Sequence, residues 1–62
     1  MTLRQIAQEF NECYMPKLDK NDKPMVNESF SYFTDNLCRD GRITDSIYNR
    51  ITYNIKTGKC RM

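Results

Sequence analysis

Leu37-Cys38-Arg39-Asp40-Gly41-Arg42-Ile43-Thr44-Asp45-Ser46-Ile47-Tyr48 is the stretch in which one helix stops and the next begins. Gly41 supplies the left-handed residue that closes a helix C-terminus. Thr44 follows as an N-cap, and Asp45 favours the positive end of the next helix dipole. Ile43 and Tyr48 occupy the two positions of a hydrophobic staple. The run therefore predicts a capped helical hairpin, and none of its residues is a nucleophile, a metal cage or a phosphate cradle.

Upstream, Thr2-Leu3-Arg4-Gln5 has the form of a capping box, so a helix is expected to start at Leu3. Leu3, Ile6, Ala7, Phe10, Cys13 and Tyr14 recur at helical spacing, while Arg4, Gln8, Glu9, Asn11 and Glu12 take the other face. Pro16 disfavours helical geometry at Met15 and ends the segment. Lys17 to Lys23 is almost wholly polar and reads as an exposed connection.

The second helix is expected from Pro24 to Arg39, with Val26, Phe30, Phe33 and Leu37 on one stripe flanked by Met25 and Tyr32. That arc is broad enough to predict a homodimer or other homo-oligomer. The third helix is expected from Asp45 to about Lys56, with Ile47, Tyr48, Ile51 and Ile55 inward and Gly58 as its stop. Ile51, Tyr53 and Ile55 also alternate at period two, which leaves a strand over Arg50 to Lys56 as the alternative. The expected fold class is all-α: one small three-helix domain over residues 1–62, its C-terminal segment a helix or a short strand.

The chain has 62 residues and no histidine, which removes the commonest general base and zinc ligand together. The three cysteines, Cys13, Cys38 and Cys60, are odd in number and lack paired C-x-x-C spacing, so neither a disulfide framework nor a structural zinc site is expected. Cys13 and Cys38 lie on or beside apolar helix faces and read as core. Cys60 lies between Lys59 and Arg61, where positive charge favours a thiolate, a placement read as incidental. Asp19-Lys20-Asn21-Asp22 opens like a calcium loop, but the sixth position is Pro24 and the twelfth Phe30. With Gly41 and Gly58 the only glycines, no phosphate-loop or dinucleotide pattern exists. The chain is expected to be non-enzymatic and without a cofactor or metal. No apolar run spans a bilayer, no apolar leader opens the sequence, and the expected location is the cytoplasm, with no membrane partner.

Net charge is +2, and its distribution is more informative than its sum. The first 45 residues hold all eight acids against six basic residues, whereas Arg50, Lys56, Lys59 and Arg61 follow with no acid among them. These cations either complement a helix C-terminus or form an anion-facing contact. Together with the aromatic groups Tyr32 and Tyr53 they are the candidate partner-binding residues, because aromatics and arginine dominate interface energetics. The tyrosines have an equal claim to a place in the core.

A DNA-reading helix-turn-helix fits the run in part. Leu37 occupies the position, four before the turn glycine, where a small residue is needed, and Asn36, Asp40 and Arg42 fill slots that should be apolar. Asp45 also stands where phosphates would approach. Nucleic acid is therefore the less favoured partner, beside a nucleotide sponge using Arg50 and Lys56.

The segment from Leu37 to Thr44, followed by Tyr48-Asn49, resembles a helical hairpin found in small accessory proteins of tailed bacteriophages. The resemblance implies an inhibitor that binds a host protein, such as an enzyme, a polymerase subunit or a defence complex, in the host cytoplasm. It carries over no site residue.

Overall fold

A computed structural model describes all 62 residues, 1–62. Helix α1 spans Leu3–Cys13 and is followed by a 3₁₀ turn at Met15–Lys17; α2 spans Lys23–Arg39 and α3 Asp45–Arg50. Two short strands, β1 at Thr52–Asn54 and β2 at Lys59–Arg61, complete the chain as an antiparallel hairpin. The fold is mostly α, with this hairpin as its one sheet.

The caps form as the sequence requires. The Thr2 hydroxyl accepts from the Gln5 N–H at 3.1 Å, and the Gln5 side chain accepts from the Thr2 N–H at 2.9 Å. Asp22 caps α2 by accepting from the Met25 N–H, so the helix starts at Lys23, with Pro24 in its first turn. At its far end the Arg42 N–H donates to the Leu37 carbonyl at 2.9 Å and the Gly41 N–H to Cys38 at 3.1 Å, the paired bonds of a Schellman closure. Gly41 has φ +74°, which a β-branched residue adopts only under strain. Thr44 then caps α3 by accepting from the Ile47 N–H.

The core is built on aromatic rings. Phe10, fully buried, meets Phe30 edge-on at 5.1 Å, Phe33 at 5.6 Å and Tyr53 at 4.8 Å between centroids. Ile6, Val26, Leu37, Ile43 and Ile51 surround this cluster. Val26, Phe30, Phe33 and Leu37 are each buried within the single chain. The broad arc on α2 is thus covered within one chain by α1, α3 and the hairpin. Only Met25 and Tyr32 remain exposed as large apolar side chains on α2.

Two expectations are corrected. The third helix stops at Arg50 rather than Lys56, because Ile51 leaves helical geometry at ψ 136°. On a helix Tyr53 would point about 200° away from Ile51, into solvent. On an extended chain Ile51, Tyr53 and Ile55 share one face, and burying the Tyr53 ring on Phe10 and Phe30 decides the contest. Gly58, at φ +67°, serves the hairpin turn and ends no helix; its N–H donates to the Asn54 carbonyl at 2.8 Å. The second correction is Cys13, which is exposed, whereas Cys38 is half-buried.

Candidate anion-binding face

The hairpin is fixed to the body by one side chain of α1. Asn11 Nδ2 donates to the Gly58 carbonyl at 2.8 Å, and Asn11 Oδ1 accepts from the Tyr53 hydroxyl. The Tyr53 ring is stacked on Phe30 at 5.3 Å as well as edge-on to Phe10. The Tyr53 ring is therefore half-buried and packed on the core, with its hydroxyl committed to Asn11. Burial also pushes its hydroxyl pKa upward, with the neighbouring Cys60 adding to the shift.

With Tyr53 and Cys60 facing inward as a cross-strand pair, the register Thr52↔Arg61 and Asn54↔Lys59 turns those four residues to the outer face. There Arg50, Lys56 and Arg61 line a groove closed on its other side by Lys23 and Asn27 of α2. The structure brings together three of the four late cations and adds Lys23, which the sequence leaves inside a polar connection. A second groove shares Tyr53, Ile55 and Lys56 with the first and adds Lys20 beside Met15 and Pro16. A third shares Asn11 and Gly58 with the second and runs between α1 and β2, lined by Arg4 and Lys59. No acidic side chain lines any of the three.

The chain's ion pairs lie elsewhere. Arg39 bonds Asp35 at 3.2 Å along α2, and Arg42 bonds Glu9 at 3.4 Å. The grooved face thus collects cations that the fold leaves without carboxylate partners, and amides such as Asn27 and Asn54 sit between them. Tyr32 is exposed on α2 and lines none of these grooves. Among the sequence candidates Tyr32 therefore stands apart, Lys59 belongs to the third groove, and Arg50, Lys56 and Arg61 converge.

The cysteines offer little chemistry. Burial pushes the Cys60 thiol up to about 11, opposite to the effect of the flanking cations, so it is protonated at neutral pH. Cys38 donates from Sγ to Asp45 Oδ1 at 3.1 Å, and that bond together with the Asp45 charge raises its pKa. The acidic residues of the Asp19 to Asp22 segment are used locally: Asp19 accepts from the Asn21 N–H, and Asp22 caps α2. No three acidic or cysteine side chains gather as a metal cluster, and no helix is long and apolar enough to cross a membrane. Comparison with family models, with curated proteins and with solved structures finds no match to this chain.

Proposed function

We propose that this protein acts without catalysis, by docking its grooved basic face on an acidic surface of a protein partner, as an inhibitor of the phage-accessory kind acts on a host enzyme or defence complex. One observation carries the reading: Lys23, Arg50, Lys56 and Arg61 converge from α2, α3 and the hairpin on one groove, and none is neutralised within the fold. Uncompensated like charge held in a concave site steers and orients a partner of opposite sign. Two of the four are arginines, whose planar guanidinium binds carboxylates in pairs of parallel bonds.

The helix-turn-helix alternative loses its reading head. Helix α3 is six residues long, and Tyr53 and Asn54, which would extend its outer surface, belong to β1. A phosphate-holding sponge keeps one point in its favour, because Arg50 and Lys56 do share a groove; a nucleotide that raises the melting temperature would support it.

The test is capture from a bacterial lysate by wild type and by a Lys56→Glu, Arg61→Glu variant whose circular dichroism is unchanged. The reading expects one specific protein to be held by wild type and lost by the variant. Equal capture by both removes the basic face from the interface.

A further inference from the structure

We infer that the partner enters this face as an extended acidic peptide segment, its carboxylates seated along the three neighbouring grooves and its backbone bonded to the amides between them. The inference rests on the docking reading above and specifies what is docked.

Shape is the first argument. A flat acidic surface would meet a flat basic one, but here the cations line concave grooves, the first sharing Tyr53, Ile55 and Lys56 with the second and the second sharing Asn11 and Gly58 with the third. A row of neighbouring grooves suits a linear ligand.

Chemistry separates a peptide from the other linear polyanion, a nucleic-acid strand. Single strands are held by aromatic platforms on which bases stack, in addition to backbone charge. Tyr53, the aromatic side chain of these grooves, has its ring committed to Phe10 and Phe30 and its hydroxyl to Asn11. The exposed Tyr32 lies off the track. Between the cations stand Asn27, whose amide donates and accepts as peptide N–H and C=O require, and Asn54, whose Nδ2 can donate while its Oδ1 serves the hairpin turn. Ile55 and Met15 in the middle groove, Leu3 in the third and the exposed Met62 in the first offer apolar seats between charges. A peptide in which acidic and apolar residues alternate matches this lining, and a sugar–phosphate backbone does not use it.

The experiment is fluorescence anisotropy with the full chain and three labelled probes: a hexapeptide of alternating glutamate and leucine, a single-stranded oligothymidine and a DNA duplex, at about 20 mM and about 150 mM salt. The peptide is expected to bind, and more tightly than either oligonucleotide. Reversal of one groove cation is expected to weaken it about tenfold. Two reversals from opposite walls, Arg61→Glu on β2 and Lys23→Glu on α2, guard against a folding defect in the hairpin. Arg39→Glu, off the grooves, should leave binding unchanged. No peptide binding at low salt, equal weakening by Arg39→Glu, or tighter oligonucleotide binding each overturns the inference, the last in favour of a nucleic-acid strand. If the peptide fails while charge reversal still abolishes capture of a protein partner, docking stands and only the extended-segment inference falls.

Discussion

Replacing Asn11 with alanine tests the claim that one polar side chain of α1 latches the C-terminal hairpin. The substitution removes the bond to the Gly58 carbonyl and the bond from the Tyr53 hydroxyl, and it leaves both partners partly buried. A net hydrogen bond contributes about 1 kcal/mol, and a deserted buried partner raises that figure. Because Asn11 is only half-buried, water recovers part of the loss, so the expected cost is about 1.5 kcal/mol. For a domain of this size that lowers the melting midpoint by roughly 6–12 °C. A single core of this length supplies no more than roughly 3–5 kcal/mol, so the loss should be plain in thermal melts followed by circular dichroism. Tyr53→Phe removes one of the two bonds and should cost about half as much. The double variant should then be little worse than Asn11→Ala, a coupling of about 0.7 kcal/mol in the cycle. An unchanged midpoint for Asn11→Ala, or strictly additive losses, would refute the latch.

The two glycines should respond unequally to alanine. Gly41 has nothing within 4 Å of an added Cβ, so Gly41→Ala costs only the left-handed backbone, about 1 kcal/mol; at Gly58 the added atom meets Asn11 Nδ2 at 3.3 Å, and urea midpoints should show the larger loss there. The Cys60 thiol gives a pH dependence of definite sign. Its folded pKa of about 11 lies above the ordinary 9.0, so the unfolded chain ionises first and stability falls as pH rises from 9 toward 11. Cys60→Ala should reduce that fall in midpoints measured across the window; an identical alkaline slope in both proteins would contradict it.

The helix boundaries set by Thr2, Gly41 and Thr44 were legible because their signals are local. Thr2 with Gln5, Gly41 and Thr44 each act within five residues, and each does in the structure what its type requires. The hairpin was not, because Ile51, Tyr53 and Ile55 satisfy a helix pattern in part and a strand pattern in full. What separates the two is a tertiary fact, the vacancy beside Phe10 and Phe30 that the Tyr53 ring fills. Gly58 misled for a related reason, since positive φ serves a helix stop and a hairpin turn equally. The turn did leave a trace: Asn54 Oδ1 accepts from the Lys56 N–H, and the Thr57 hydroxyl from the Lys59 N–H. Asn and Thr at those positions are turn-forming residues. Of the site, the late cations were visible as a run without acids. Lys20, Lys23, Arg4 and Asn11 were not, because nothing in a linear sequence places a connection and the outer side of α1 beside residues 50–61.

The strand register bears on how this chain can change over generations. Tyr53 and Cys60 face one side of the hairpin and Thr52, Asn54, Lys59 and Arg61 the other, so slipping either strand by one residue exchanges that strand's inward and outward side chains. Inserting or deleting a single residue between Ile51 and Tyr53 would carry the tyrosine out of the core, and an indel in the turn that slipped β2 would swing Lys59 and Arg61 inward. The segment between the 3₁₀ turn and α2, by contrast, is mostly exposed, and there an extra residue costs little more than loop entropy. Descendants of this sequence should therefore vary freely in length around residues 18–22 and keep the spacing from Ile51 to Arg61 fixed, even where the charges themselves have drifted to follow a changing partner.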